Sequence, residues 1–340
     1  MKRILLLGMM GLSAMWGYAR QGEGPDRGRT VKTPMVHDPV LAREGDTYYL
    51  YCTGQGISSF SSKDLSVWQI ERGVFPEPPR WAMDSIKGYR GHTWAPDILY
   101  YKGNYHLFYS CSTFGKNTSA IGHAYRRTLD PSASEPWTDT GAVIVSHTRD
   151  NFNAIDPNVI IDGDGTPWMA FGSFWGGIQL VRLTEDLSSL AVPEERHTIC
   201  TRLYADSLSS VPPQQVNAVE APFIFRHGDY YYLFVSYDFC CRGLKSDYKV
   251  VVGRSARVTG PYVDREGREL TKGGGSLVVA GNEDFVAIGH SAAYHLDGKD
   301  YFMAHGYSRS KDGASLLFLR EMTWDADGWP VVDASKRKSS

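Results

Sequence analysis

Three acidic residues of this chain lie where the local structure does not need a carboxylate. Asp38 and Asp156 each directly precede a proline, and Glu220 stands two residues before another. The segment of Glu220, VEAPFIFRHGDYYYLFVS, otherwise has the features of a β-hairpin: β-forming residues, a Gly-Asp turn and a second aromatic run. An aspartate before proline often begins a turn by binding local amides, so each acid considered alone is ambiguous.

Carboxylates that gather in one place support two kinds of chemistry. In glycoside hydrolysis, one carboxylate stays ionised and activates water, while a second stays protonated and gives its proton to the leaving oxygen. A third carboxylate nearby raises the pKa of the acid by repulsion between like charges. Alternatively, three carboxylates and a histidine are suitable ligands for a divalent cation. The residue types do not separate these two possibilities.

The setting of these acids recurs along the chain. Five stretches share a polar or aromatic residue near the start, an apolar strand, a Gly-containing turn and a second aromatic-rich strand. They begin at His37, Trp94, Ile155, Val219 and Gly289. Four carry a proline near the start, at intervals of 57, 61 and 65 residues, and the length allows ~64 residues for each of five units. Since a four-stranded blade takes roughly 40 to 50 residues, the repeat predicts an all-β fold, a five-bladed β-propeller.

The innermost strand of each propeller blade runs along the central channel. If each hairpin supplies the two inner strands of its blade, the residues that open the five copies converge at one end of that channel. These residues are Asp38, Trp94, Asp156, Glu220 and His290. Like charges gathered in a confined cavity cost free energy, and such clusters usually persist where the charges serve a function. We therefore expect an active site with three carboxylates from three blades.

Aromatic residues near the ends of the hairpins favour a sugar as the ligand. Phe174 and Trp175 lie in SFWGG, at the end of the third hairpin, and Phe114 lies in SCSTFGKN after the second. Aromatic faces suit the apolar faces of sugar rings, and binding residues concentrate in exposed loops. For any single aromatic residue, packing in the core is the simpler interpretation.

Taken together, these motifs resemble those of glycoside hydrolase family 43. HDP, WAPD, AIDPN, VEAPF and a late GH follow the family's order, and STFG, SAIG, GSFWGGI, FCCRG, YKVVVGRS, GPYVD, GGGS and DGWPVV resemble its arabinanase branch. The resemblance extends from about Val36 to Val332. It implies a five-bladed propeller that hydrolyses α-1,5-linked arabinan, and we expect an endo-acting enzyme.

The resemblance also implies a role for each residue of the site. Asp38 matches the general base, Glu220 the general acid, and Asp156 the carboxylate that tunes and orients the acid. The family inverts configuration, so the base and the acid are expected about 6.5–9.5 Å apart. His290 matches a histidine near a water-coordinated ion, often calcium, and no organic cofactor is implied. The residues that would line the sugar subsites are Trp94, Phe114, Asn153, Phe174 and Trp175.

Other activities on the same scaffold stay open. An exo-acting arabinanase would differ in the loops that block or open the channel, around Asp84 to Arg90 and Ala205 to Gln215. An α-L-arabinofuranosidase or a β-xylosidase would use the same three acids. A non-catalytic carbohydrate-binding propeller would keep the aromatics and lose at least one carboxylate, but all three are present.

The N-terminus has the features of a signal peptide over residues 1–19. Two basic residues precede an apolar run from Ile4 to Trp16, and a small-x-small cleavage motif follows. The run is short for a membrane span, and no cysteine follows it, so we expect no membrane anchor. We predict a secreted or periplasmic protein in which residues 20–340 form a single catalytic domain.

The net charge of the chain indicates which class of partner to expect. A net charge of −2 gives no electrostatic basis for binding nucleic acid, so we expect a polysaccharide or oligosaccharide substrate and a monomeric protein.

The five cysteines are odd in number and irregularly spaced, which does not indicate a disulfide framework, and they contain no C-x-x-C metal pair. Cys240 and Cys241 would point to opposite faces of a strand. We expect buried thiols.

Overall fold

Five antiparallel β-sheets follow one another along the chain in a computed structural model that describes residues 27–202 and 217–335. The predicted signal peptide, residues 1–19, and the loop Ala205 to Gln215 lie outside the described residues. No helix in the described ranges is both long and apolar enough to cross a membrane. The sheets confirm the predicted five-bladed β-propeller.

The described ranges contain twenty-two strands and one short α-helix, α1 (Arg80–Ser85). The strands are β1 (Thr30–Val31), β2 (Val40–Glu44), β3 (Thr47–Cys52), β4 (Gly54–Gln55), β5 (Ser58–Ser62), β6 (Trp68–Ile70), β7 (His92–Tyr101), β8 (Asn104–Cys111), β9 (Ser119–Arg126), β10 (Thr138–Ser146), β11 (Asn158–Ile161), β12 (Pro167–Phe171), β13 (Ile178–Arg182), β14 (Arg196–Cys200), β15 (Val219–His227), β16 (Tyr230–Tyr237), β17 (Lys249–Ser255), β18 (Ser276–Val279), β19 (Phe285–Leu296), β20 (Lys299–Ser308), β21 (Ser315–Trp324) and β22 (Pro330–Val332).

Each blade is an up-and-down meander. Blades 3, 4 and 5 contain four strands in chain order, β11 to β14, β15 to β18 and β19 to β22. Blade 1 has the order β1-β6-β5-β3-β2, and blade 2 has the order β10-β9-β8-β7-β4. The five hairpins recognised in the sequence are therefore the first two long strands of the five blades, as predicted.

The first strands of successive blades form a closed ring around the channel. Strand β2 contacts β7, β7 contacts β11, β11 contacts β15, β15 contacts β19, and β19 contacts β2 again. The N-terminal ends of these five strands lie at the same end of the ring, because the strands share one direction in an up-and-down blade. This arrangement brings together residues that are up to about 250 positions apart in the sequence.

The ring closes where the segment before β2 meets blade 5. The Val36 amide donates to the Ser315 carbonyl at 3.2 Å, and the Ser315 hydroxyl donates to the Val36 carbonyl at 2.5 Å. Met35 forms a β-bridge with Leu316. Strand β1, which also precedes β2, covers the outer edge of blade 1. These bonds fix the start of β2, and with it Asp38.

The second strand of each blade is buried on both faces. In β12 every residue is buried, and β8 and β16 each have one residue that is not. The sequence of such a strand is a continuous apolar run, because neighbouring blades cover both of its faces. Leu107, Leu233 and Phe302 in these strands are fully buried. The core is thus spread between the blades, and the channel end is left for polar residues.

Candidate active site

One residue at the opening of each blade adopts a left-handed backbone conformation. The five residues have φ between 40° and 58°, although none is glycine; they are Asp38, Ala95, Asp156, Ala221 and His290. Positive φ is uncommon outside glycine and aspartate or asparagine, and it recurs at functional sites. Its return once per blade shows that these positions are structurally equivalent.

This equivalence refines the alignment made from the sequence. Asp38, Asp156 and His290 occupy the left-handed position, whereas Trp94 and Glu220 lie one residue earlier. Glu220 is instead in strand β15, opposite Ser236 of β16, where a bulge follows it. The acid therefore enters the site from a different backbone position than the two aspartates.

The amide of each left-handed residue is bound by a side chain from the blade before it. Four acceptors lie at the ends of second strands, at 2.8–3.1 Å: Thr53 for Ala95, Ser110 for Asp156, Ser236 for His290 and His305 for Asp38. The fifth acceptor is Asp156 itself, whose Oδ2 accepts the Ala221 amide at 3.2 Å. Each left-handed residue is thus fixed by a hydrogen bond to the preceding blade, and these bonds link the five blades around the ring.

Asp38 is buried, and its carboxylate is surrounded by hydrogen-bond donors. His37 Nδ1 lies 2.7 Å and His290 Nδ1 lies 3.0 Å from Oδ1, while the Thr53 hydroxyl donates to Oδ2 at 2.5 Å. Burial acts to raise the pKa of Asp38, but the His290 charge and the hydrogen bonds of His290 and His37 outweigh it and lower the pKa well below its usual range. The carboxylate is therefore ionised at neutral pH, as a general base must be.

His290 carries the compensating positive charge. Burial acts to lower its pKa, but the Asp38 charge and hydrogen bond, followed by the charges of Asp156 and Glu220, raise it to about 9. A protonated imidazole is therefore in place at neutral pH. This charge offsets part of the repulsion among the three carboxylates.

Both oxygens of Glu220 are bound by neighbouring hydroxyls. Ser173 donates to Oε2 at 2.7 Å, and Tyr248 donates to Oε1 at 2.7 Å. Ser173 also forms a β-bridge with Glu220. The Tyr248 ring fits only because residue 289 is glycine: a Cβ there would lie 2.0 Å from Tyr248 Cδ1. The carboxyl group is thus fixed in position while it stays slightly accessible, with 8% of Glu220 exposed.

Asp156 interacts electrostatically with both the base and the acid. Burial first, and then repulsion from Glu220 and Asp38, raise the pKa of Asp156 well above its usual value, although the His290 charge opposes the shift. These charges act on Asp156 because all four groups face the same end of the channel. The structure therefore brings together the three predicted acids and His290.

Two aromatic residues project from a strained turn beside Glu220. Phe174 and Trp175 have consecutive positive φ values of 59° and 41°, which is rare for bulky side chains. The Phe174 amide donates to the Val219 carbonyl at 2.9 Å, and Asn217 Nδ2 donates to the Trp175 carbonyl at 3.1 Å. Both aromatic side chains are half-buried at this rim. The Phe174 ring also contacts Phe239, with centroids 5.7 Å apart.

The other predicted subsite residues differ in exposure. Phe114 is 64% exposed in the loop after β8. Trp94 is half-buried and donates from Nε1 to His92 Nδ1 at 2.9 Å. Asn153 is buried, and its Oδ1 accepts from the Ser119 hydroxyl at 2.7 Å. Their contact with substrate stays a prediction.

The expectation of free thiols is wrong for one pair. Cys240 and Cys241 form a disulfide between adjacent residues, whereas Cys52, Cys111 and Cys200 are free and buried. The opposite-face argument fails because β16 ends at Tyr237, and Cys241 has a φ of 65°. The pair lies at the site, with Cys241 Sγ 3.7 Å from His37 Nε2.

The calcium ion predicted near His290 stays a prediction. His290 Nδ1 is bound to Asp38, and the described residues do not place His290 in a cluster of three His, Cys, Asp or Glu ligand atoms. Calcium takes six to eight oxygen ligands. Water would supply most of these ligands in the water-coordinated ion that the resemblance implies, and no step of the proposed reaction passes through a metal.

Comparison with known proteins identifies the scaffold. The family model described as glycosyl hydrolases family 43 matches residues 29–330. The chain belongs to glycosyl hydrolase family 43. A curated relative from Cellvibrio japonicus, an extracellular exo-α-(1→5)-L-arabinofuranosidase, is 48% identical over 306 residues, 89% of this chain and 88% of its own. An extracellular endo-α-(1→5)-L-arabinanase of Bacillus subtilis is 37% identical over 300 residues, 87% of each chain.

Solved structures of this family agree with the fold. An exo-1,5-α-L-arabinanase from a bovine ruminal metagenomic library is 51% identical, with a TM-score of 0.83, covering 89% of this chain and 98% of its own. The Cellvibrio cellulosa α-L-arabinanase in complex with arabinohexaose is 46% identical, with a TM-score of 0.84, covering 89% and 96%. The resemblance to the arabinanase branch of family 43 is confirmed.

Several residues of this family 43 site were not singled out from the sequence. They are His37, Ser173, Tyr248, His305 and Tyr307. The repeat could have pointed to His305. It lies near the end of the second strand of blade 5, at the position that Thr53, Ser110 and Ser236 occupy in other blades. Tyr248 and Ser173 carry no such signal, because their contact with Glu220 depends on how neighbouring strands end.

Proposed function

We propose that this family 43 protein is an exo-acting hydrolase of α-1,5-linked arabinan. The observation that carries the proposal is the convergence of Asp38, Asp156 and Glu220 at one end of the channel, beside a rim of aromatic residues. Three buried carboxylates with one imidazolium are suited to glycosidic bond cleavage. An arabinan oligosaccharide as substrate is supported by the arabinohexaose complex of the Cellvibrio cellulosa enzyme.

In the proposed reaction, Asp38 activates the attacking water. Its carboxylate is ionised and held by three donors, so it has a fixed orientation toward the channel. Glu220 donates its proton to the leaving oxygen, and Ser173 and Tyr248 orient it. Asp156 interacts with the charge of Glu220 and accepts the amide of the residue that follows it. Direct attack by water inverts the anomeric centre.

Exo action is favoured over the endo action expected from the sequence. The relatives that share 48% and 51% identity with this chain are named as exo-acting enzymes, whereas the named endo-arabinanase of Bacillus subtilis shares 37%. Cleavage mode depends on the loops at the ends of the channel, which change faster than the acids that do the chemistry. Export from the cell is likewise supported by the extracellular enzymes among its relatives.

Product analysis on linear α-1,5-arabinan tests the proposal. An exo-acting enzyme releases one short oligosaccharide or arabinose from the first minutes, and the viscosity of the polymer falls slowly. A ladder of mixed lengths at the earliest times would make the enzyme endo-acting and overturn the exo assignment. Release from small aryl glycosides alone would favour an α-L-arabinofuranosidase or β-xylosidase, and Glu220→Ala serves as the inactive control for natural linkages.

A further inference from the structure

A closed loop of hydrogen bonds surrounds the general base at the seam between blades 5 and 1. It runs from the Asp38 amide to His305, then to Tyr307, then to His37, and returns to the Asp38 carboxylate. His305 and Tyr307 are two residues apart in β20, so both side chains lie on one face of that strand. His305 is fully buried, and Tyr307 is nearly so.

The first bond fixes the tautomer of His305. A backbone amide only donates, and the Asp38 N–H lies 3.1 Å from His305 Nδ1, so this nitrogen accepts and carries no proton. The proton of the neutral ring is therefore on Nε2. This N–H points to the Tyr307 oxygen at 3.2 Å.

The second step fixes the direction of the Tyr307 hydroxyl. Its oxygen accepts from His305 Nε2–H and from the Cys241 amide, which lies 2.8 Å away. With both lone pairs in use, the hydroxyl donates its proton, and His37 Nε2, at 2.8 Å, is a stronger and much nearer acceptor than Cys241 Sγ, at 3.9 Å. Cys241 Sγ lies 3.7 Å from His37 Nε2, but in the disulfide it carries no proton. It therefore cannot replace Tyr307 as the donor to His37.

The hydrogen bond from Tyr307 determines which nitrogen of His37 carries the ring proton. Since His37 Nε2 accepts from Tyr307, the ring proton of His37 is on Nδ1, which lies 2.7 Å from Asp38 Oδ1. The ring is also held by stacking on His305, with centroids 3.9 Å apart. His37 therefore presents an N–H donor of fixed direction to Asp38.

We propose that Tyr307 and His37 are positioning residues for the general base: Tyr307, held by His305 and the Cys241 amide, locks His37 in its Nδ1–H tautomer, which orients the Asp38 carboxylate. The inference rests on the proposed role of Asp38 as the base. Neither Tyr307 nor the disulfide has to touch the substrate for this function. Second neighbours of a catalytic group often set its orientation in this way.

Kinetics with two substrates tests the proposal. Tyr307→Phe removes the hydroxyl and keeps the ring, so we expect kcat to fall about ten- to a hundredfold with KM nearly unchanged. The fall should be equal for a linear arabino-oligosaccharide and for its nitrophenyl glycoside, because water activation is needed with either leaving group. His37→Asn, which retains a donor near the Nδ1 position, should keep more activity than His37→Ala.

Tyr294→Phe is the matched control. Tyr294 is a tyrosine of the same blade whose hydroxyl accepts the Leu41 amide of blade 1 at 2.8 Å, without contact to His37. This variant should retain wild-type kcat at a temperature where it is folded. Full kcat in Tyr307→Phe, or a change confined to KM, would overturn the positioning role.

A measurement on the unmodified protein does not depend on how well Tyr307→Phe folds. Nitrogen-15 NMR of histidine-labelled protein, with His37→Asn for assignment, reports which ring nitrogen carries the proton. A protonated Nδ1 with an accepting Nε2 supports the lock, and a protonated Nε2 overturns it. If Asp38 is not the general base, Asp38→Asn should remain active, and the proposed function fails. If Asp38→Asn is inactive but Tyr307→Phe is fully active, only the positioning role of Tyr307 and His37 is refuted.

Discussion

The Ala221 amide donates to Asp156 Oδ2 at 3.2 Å, so the third carboxylate binds the residue that directly follows Glu220. In the other blades a hydroxyl or an imidazole of the preceding second strand accepts the equivalent amide. Asp156 therefore does two things at once: it sets the backbone position of the acid, and it places a second titratable carboxyl group beside it.

Asp156→Asn separates these two contributions. The amide oxygen of asparagine can still accept from Ala221, so the backbone stays in place, but the titratable carboxyl group is lost. We expect the alkaline limb of the kcat/KM profile to move to lower pH, because the site then lacks the second of two carboxyl groups that oppose each other's ionisation. Asp156→Ala should lose more activity than Asp156→Asn. Superimposable pH profiles for wild type and Asp156→Asn would contradict this role.

Glu220→Ala tests the assignment of the general acid. Natural arabinan should be cleaved about a hundred- to ten-thousandfold more slowly, since the leaving alkoxide needs a proton. A dinitrophenyl glycoside should be cleaved almost as fast as by wild type, because its leaving group departs unprotonated. Asp38→Ala should abolish both reactions. Equal rates of wild type and Glu220→Ala on arabinan would refute the acid assignment.

The two hydroxyls on Glu220 should affect the same step. Tyr248→Phe and Ser173→Ala each remove one donor, which lies 2.7 Å from the carboxyl group. We expect kcat on arabino-oligosaccharides to fall roughly tenfold in each variant, in line with the loss of a hydrogen bond that contributes about 1 kcal/mol. Activity on the dinitrophenyl glycoside should change little. A uniform loss on both substrates would indicate general disruption of the site.

Asp97 should make the stability of the fold pH-dependent. Burial raises the pKa of its carboxyl to about 7, although the Val159 amide, at 2.6 Å from Oδ2, opposes the shift. Because the folded protein then holds a proton that the unfolded chain releases near pH 4, the free energy of unfolding should fall as the pH rises from about 4 to about 7. Urea denaturation of wild type and Asp97→Asn should show this fall only in wild type. Parallel curves would contradict it.

Chelation tests the ion predicted beside His290. If a cation binds there, treatment with a chelator followed by dialysis should lower Tm by a few degrees, since a ligand of the folded state stabilises it. The value of kcat/KM well below Tm should stay within about twofold of the untreated enzyme, because the three carboxylates carry out the reaction. An unchanged Tm would argue against a bound ion.

The sequence by itself determined the blades and the three acids. The hairpins repeat every 57 to 65 residues with the same opening pattern, so local propensity and the hydrophobic alternation already specify five equivalent units. The convergence of Asp38, Asp156 and Glu220 follows from that repeat, because equivalent positions in a ring of blades share one end of the channel. The expectation of endo action is less well supported, since the loops that control it carry no repeat.

Only the tertiary structure decided how the acids are held. Glu220 lies one residue before the left-handed position that Asp38 and Asp156 occupy. Its spacing from Pro222 shows this offset, but the sequence does not show the backbone conformation that gives the offset its meaning. The disulfide at Cys240 was missed because its segment leaves the strand. The contact of Tyr307 with His37 joins blades 5 and 1, so it depends on the closure of the ring. Tyr248 reaches Glu220 from the segment between β16 and β17 of the same blade, a placement that no local pattern shows.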